Sequence, residues 1–154
     1  MALPNIGIIN CGIGNLTSVK NAFTRAGANC QFVESAESLS NYEKLVLPGV
    51  GAFGPMMEKL NVGNFSNEII NHIAQGKPFM GICLGMQILF EYSTEFGQTA
   101  GLGILKGSVQ SLPPGREVVP NVGWWSVSGS YLQFSEKLNS ADTFYFVHSY
   151  FCET

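Results

Sequence analysis

Charge is what this sequence has least of. Only 12% of its 154 residues are acidic or basic, and the net charge is −3. A chain with no excess of Lys and Arg lacks the electrostatic footprint of a nucleic-acid binder. Hydrophobic residues make up 45% of it, too many for a disordered polymer. Its apolar runs are nevertheless short: "IGII" and "KLVLPGVGAF" fall well below the ~20 residues that a membrane-spanning helix requires. The opening "MALPNIGIIN" has no basic region before its apolar residues and runs straight into a strand-like segment. No secretory leader is therefore expected, and the cytoplasm is the expected compartment. Histidine and cysteine are sparse and scattered. His72, His148, Cys11, Cys30, Cys83 and Cys152 form no C-x-x-C pair and no group at metal-ligand spacing, so no metal and no other cofactor is expected. Disulfides are not expected in a reducing compartment. Internal repeats and long linkers are also missing, which points to one domain over residues 1–154.

What is present is an alternation of apolar strands with helical periodicity. "NIGIIN" (5–10) reads as a strand, followed by the Gly-rich turn "CGIGN". Leu16, Val19, Phe23 and Ala26 then recur at helical spacing, with Gly27 where a helix would stop. Residues 29–35 and 43–49 read as the second and third strands. "NFSNEIINHIAQG" follows with Phe65, Ile69, Ile70 and Ile73 on one helical face, which leaves His72 at its solvent edge. Residues 77–82 form a fourth strand, and "LGMQILFEY" (84–92) a helix after it. Strands that are apolar throughout belong in a parallel sheet covered on both faces. The expected fold is α/β, a doubly wound and mostly parallel sheet. Beyond Gly101 the β-rich segments "ILKGSVQSL", "REVVPNVGWWSVS" and "TFYFVHSYF" read as an antiparallel extension.

The most informative residues are Gly81-Ile82-Cys83-Leu84-Gly85. G-x-C-x-G at a strand-to-helix junction is the thiol form of the nucleophile elbow. A tight reversal crowds the backbone, so the positions two before and two after the nucleophile must be small. A cysteine there sits at a helix N-terminus, where thiolate is favoured, and the Leu84 N–H points toward an oxyanion formed on an attacked carbonyl. The alternative role for a free cysteine is that of a small buried hydrophobe, and this is what the other three, which lack a glycine frame, are expected to be. A second oxyanion donor is available in "LPGVGAFG" (47–54), where Gly49 and Gly51 let the Val50 and Gly51 amides turn toward the sulfur; adjacent strand ends of a doubly wound sheet share one crevice.

"PGVGAFG", "GICLGMQILFE", "PNVGWW" and "FYFVHSYF", in this order, together with "NCGIGNLTSVKNAF" at the start, resemble the class I (triad) glutamine amidotransferases. The likeness is nearest to the glutaminase subunits of imidazole glycerol phosphate synthase and covers essentially the whole chain. It implies a flavodoxin-like amidotransferase fold in which Cys83 attacks the glutamine side-chain amide and glutamate is released from a thioester. Ammonia would pass to a (β/α)8-barrel synthase partner of histidine biosynthesis. By the same resemblance the Val50 and Leu84 amides hold the oxyanion, and Gly49 and Gly51 take part in binding substrate. Gln87 holds substrate, and His148, Ser149 and Tyr150 hold the amino-acid end of glutamine. Asn15, Asn121, Gly123 and Trp124 lie toward the partner. The family's general base, a histidine with a glutamate two residues later near the C-terminus, has no counterpart up to Thr154. The resemblance therefore implies a C-terminally incomplete domain that is inactive alone. Asn10 and Cys11 stand where the family carries Asp and Tyr, and Asn121 where it carries His. These departures leave open a paralogue that feeds sugar amidation for a surface polysaccharide, and the missing base leaves open a non-catalytic binding or scaffold relative.

Overall fold

The computed structural model describes residues 3–113, 115, 118–127 and 141–154. Two compact units are distinguished, Met1–Gln110 with Cys152–Thr154, and Ser111–Phe151. In the first unit β1 (Asn5–Ile9), β2 (Asn29–Val33), β3 (Lys44–Gly49) and β4 (Phe79–Cys83) form a sheet in the order β2-β1-β3-β4. All of its pairings are parallel. The continuous apolar character of β1 and β3 has the expected cause: Ile6 to Ile9 and Leu45 to Gly49 are all buried. Each such Leu or Ile contributes about 1.5–3 kcal/mol by leaving water.

Helix α1 (Leu16–Arg25) starts where the Asn15 side chain accepts a hydrogen bond from the Ser18 N–H at 3.2 Å. Its Leu16, Val19 and Phe23 pack on Ile6, Ile8, Cys30 and Val46. The helix ends with Ala26 exposed and Gly27 at a positive φ of 86°, as a glycine stop requires. Residues 36–41 make a 3-10 turn before β3.

Helix α2 (Phe53–Val62) is an element that the residue pattern does not advertise. Its buried side, Phe53, Met56, Met57 and Leu60, has clear helical spacing, but Gly54-Pro55 at its start imitates a turn. Proline is tolerated in a first helical turn because the N–H it lacks has no intrahelical partner there. Helix α3 (Phe65–Ala74) buries Phe65, Ile69 and His72, while Ile70 is exposed. His72 is therefore a core residue rather than a solvent-edge one. Positions 65, 69 and 72 share one helical face, and Ile70 points away from it.

Helix α4 covers only Leu84–Gln87, not the nine residues its composition suggests. The segment 101–105 runs along the residues that follow the helix and takes their carbonyls: Leu102 N–H donates to Ile88, Ile104 to Leu89, Gly103 to Phe90 and Gly101 to Glu91. Gly101 is required there, because a Cβ would collide with the Phe90 carbonyl. With the carbonyls of residues 88–91 held by that segment the helix is not extended through them, and Tyr92 enters a strand. That strand, β5 (Tyr92–Ser93), joins β6 (Thr99–Ala100), β7 (Ser108–Ser111) and β10 (Tyr150–Glu153) in a second sheet, ordered β10-β7-β5-β6. It is mixed rather than wholly antiparallel: β5 runs antiparallel to β6 but parallel to β7.

In the second unit β8 (Asn121–Ser126) and β9 (Thr143–His148) form an antiparallel pair. Trp124 faces Tyr145 edge-on, with ring centroids 5.5 Å apart. "TFYFVHSYF" is interrupted at Ser149, between β9 and β10. Residues 116, 117 and 128, which the same expectation placed in strands, lie outside the described residues.

Candidate active site

β3 and β4 end side by side, with Gly49 and Cys83 as register partners. Cys83 is the last residue of β4 and the cap of α4, at φ 55° and ψ −118°. A non-glycine residue at positive φ is uncommon, and such strain concentrates at functional positions. The flanking glycines are required by space. A Cβ on Gly81 would strike the Gly85 carbonyl, and one on Gly85 would overlap the Leu47 carbonyl. Gly49 belongs to the same packing: its Cβ would lie 2.7 Å from Gly85 N and 2.9 Å from Leu84 Cβ. Gly51 is a glycine for another reason. It has open space but a φ of 91°, which other residues adopt at a cost.

The strand–turn–helix that G-x-C-x-G predicts is thus present, and its thiol is accessible. Cys83 is exposed, whereas Cys30 is buried and Cys11 and Cys152 are half-buried. Burial pushes the thiols of Cys11, Cys30 and Cys152 above the ordinary range. Leu84 is buried beneath the turn, Gln87 is half-buried one helical turn on, and Val50 is 54% exposed on the loop between β3 and α2.

Glu95 is the member of this neighbourhood that the sequence pattern did not single out. Its Oε2 accepts the Phe53 N–H at 2.7 Å, and its own N–H donates to Ser93 Oγ at 3.1 Å. A carboxylate on the first N–H of α2 satisfies an orphan donor and complements the helix dipole. It anchors the residue that directly follows the loop 50–52. The available clue was an acidic residue in a turn, which has meaning only once α2 is known to start at Phe53.

Neither histidine is disposed as a base for Cys83. His72 Nε2 lies 3.2 Å from the Pro78 carbonyl, at the opposite end of β4. At about 3.3 Å per residue the strand puts some 16 Å between Pro78 and Cys83. Desolvation holds the His72 ring below its ordinary value of 6.5; the charge of Lys77 acts in the same direction and the Pro78 carbonyl opposes both. His148, in the second unit, has both ring nitrogens engaged, by Asn121 and by the Tyr150 carbonyl. Asn15, expected toward a partner, is exposed and caps α1. Trp124 is 68% exposed, and Gly123 lies beside it in β8 with a φ of 156°. Among the described residues no group of three His, Cys, Asp or Glu is placed to hold a metal. None of the helices described is long and apolar enough to cross a membrane.

An exposed cysteine on a glycine-framed elbow, at the carboxyl end of a parallel sheet, defines the class: an α/β protein with the architecture of a thiol nucleophile. Comparison with known proteins narrows it. The family described as "Glutamine amidotransferase class-I" matches residues 7–154, and the chain belongs to that family. It is 46% identical over 147 residues to the imidazole glycerol phosphate synthase subunit HisH of Caldanaerobacter subterraneus subsp. tengcongensis, covering 95% of this chain and 72% of that one. With the protein of the same description from Prochlorococcus marinus the identity is 41% over 148 residues, covering 95% and 69%. The fold is shared with a crystal structure of a glutamine amidotransferase (TM-score 0.67, 21% identity, 92% of this chain and 69% of that one). It is shared also with PurLQS from Thermotoga maritima (TM-score 0.65, 20% identity, 97% and 68%).

Proposed function

We propose that this protein is the glutaminase subunit of imidazole glycerol phosphate synthase and acts in the cytoplasm in histidine biosynthesis. The observation that carries the chemistry is Cys83, exposed at positive φ and framed by three glycines that admit no Cβ. The names of relatives more than 40% identical carry the pathway.

In this reading the Cys83 sulfur adds to the carboxamide carbon of glutamine. The oxygen of the tetrahedral intermediate takes hydrogen bonds from the Val50 and Leu84 N–H groups, with Gly49 and Gly51 shaping the loop. Donors aimed at a developing oxyanion are commonly the largest single catalytic contribution. The C–N bond then breaks and ammonia departs with an added proton, leaving a thioester that water cleaves to glutamate. Gln87 helps to hold substrate glutamine, and His148, Ser149 and Tyr150 hold its amino-acid end. Ammonia passes to a (β/α)8-barrel synthase, and Asn15, Asn121, Gly123 and Trp124 are the residues assigned to contact with it. The leaving amine needs a general acid, and both histidines of residues 1–154 are committed elsewhere. Residues 1–154 are read as part of a single amidotransferase domain.

Ammonia release from glutamine, measured with and without a barrel synthase, tests this. Turnover is expected only when a histidine–glutamate pair is supplied, and Cys83→Ala is expected to abolish it. Undiminished turnover in that variant would remove Cys83 from the mechanism.

A further inference from the structure

The β8–β9 ladder sets Asn121 opposite His148, and the histidine is held at both nitrogens. Nδ1 lies 2.9 Å from the Tyr150 carbonyl oxygen, and Nε2 lies 2.9 Å from Asn121 Nδ2. A carbonyl can only accept, so the proton of this contact is on Nδ1. In the neutral ring Nε2 then carries a lone pair, and its partner must be a donor. Asn121 meets that need with its NH2 group turned to the ring, whereas an acceptor-only side chain at position 121 would demand a second ring proton and a positive charge.

We infer that Asn121 is a positioning residue: it locks His148 as the Nδ1–H tautomer and, through that ring, pins the Tyr150 carbonyl. The ligand in this inference rests on the proposed function, in which the 148–150 turn holds the amino-acid end of glutamine; the tautomer does not depend on it. The next carbonyl is pinned as well, since Ser149 O accepts the Leu112 N–H at 2.8 Å. Two of the three carbonyl oxygens of residues 148–150 therefore have donors of their own. A substrate carboxylate is held by N–H groups and repelled by bare carbonyl oxygens, so fixing these two oxygens prepares the turn for an anion. The Phe146 ring, 5.9 Å from the imidazole between centroids, packs beside the same strut.

Two measurements on the 154-residue chain decide the matter. In long-range 1H–15N spectra of the labelled protein at mildly alkaline pH, His148 is expected to show a protonated Nδ1 and an unprotonated Nε2. Asn121→Asp, which keeps the size and removes the donor, is expected to bring a proton onto Nε2. A wild-type ring protonated at Nε2, or an Asn121→Asp ring unchanged from wild type, overturns the inference. In the second measurement, glutamine is expected to protect Cys83 from iodoacetamide. For Asn121→Leu the half-protecting concentration is expected to rise about fivefold, as for the loss of one net hydrogen bond, with the unprotected labelling rate unchanged. Protection equal to wild type would refute the positioning role. Absence of any protection in the wild type would instead sink the glutamine site, and the spectra would still decide the tautomer.

Discussion

Gly49 and Cys83 are register partners on adjacent parallel strands, and Gly49 lies so close to the elbow that a Cβ would come within 2.7 Å of Gly85 N. The loop that follows β3 and the turn that carries the thiol are consequently one packed object. Space at residue 49 and conformation at residue 51 make separate demands, and they can be tested separately.

Gly49→Ala is expected to disturb the elbow itself. Overpacking of this kind costs about 1–3 kcal/mol, and the urea midpoint should fall accordingly. Gly51 has room but a φ of 91°. Gly51→Asn, which tolerates left-handed backbone, should therefore be milder than Gly51→Val, in which branching at Cβ opposes it. Equal midpoints for Asn and Val would refute the conformational account of Gly51.

Labelling with iodoacetamide at neutral pH, followed by peptide mass spectrometry, is expected to modify Cys83 first. The thiolate is the reacting species. Cys11, Cys30 and Cys152 are disfavoured twice, by restricted access and by thiols that burial makes less acidic. Labelling of Cys30 at a comparable rate would contradict this packing.

Glu95→Ala removes the acceptor of the Phe53 N–H. Loss of a charged cap of this kind costs about 1–2 kcal/mol, to be read as a lower thermal midpoint. Glu95→Gln keeps an acceptor without the charge and is expected to fall between Ala and wild type. Because α2 begins at this contact, the Ala variant should also show faster exchange of the Phe53 amide than the wild type.

His72 makes stability dependent on pH in one direction. Its folded-state pKa lies below the ordinary 6.5, so near 6.5 the unfolded chain takes up a proton that the folded chain refuses. The contribution is fully present above that value and is lost as pH falls through it toward the folded pKa. Urea midpoints recorded from mildly alkaline to mildly acidic pH are expected to drop on the acidic side, and His72→Gln should flatten that drop. An unchanged slope in the variant would assign the effect to other groups.

The parts of the fold that local pattern encodes were readable in advance. β1, β3 and β4 follow from apolar runs, α1 from spacing with Gly27 as its stop, and the elbow from glycines two residues to either side of Cys83. Helix α2 was masked because Gly54-Pro55 reads as a turn when its neighbours are unknown, although Phe53, Met56, Met57 and Leu60 hold the correct period. That α4 is not extended depends on residues 101–105 taking the carbonyls of residues 88–91, and no property of residues 84–92 announces that. The burial of His72 turned on a choice of helical face that Ile70 made ambiguous.

An exposed thiol on a glycine-framed reversal is a short-range consequence of a few adjacent residues, which is why reading along the chain reached it. Glu95 on the Phe53 N–H, His148 held between Asn121 and Tyr150, and the parallel pairing of β5 with β7 depend instead on groups meeting across the fold. A hydrogen bond between residues 42 positions apart leaves no periodicity to read, because its geometry exists only after the intervening strands and helices have packed.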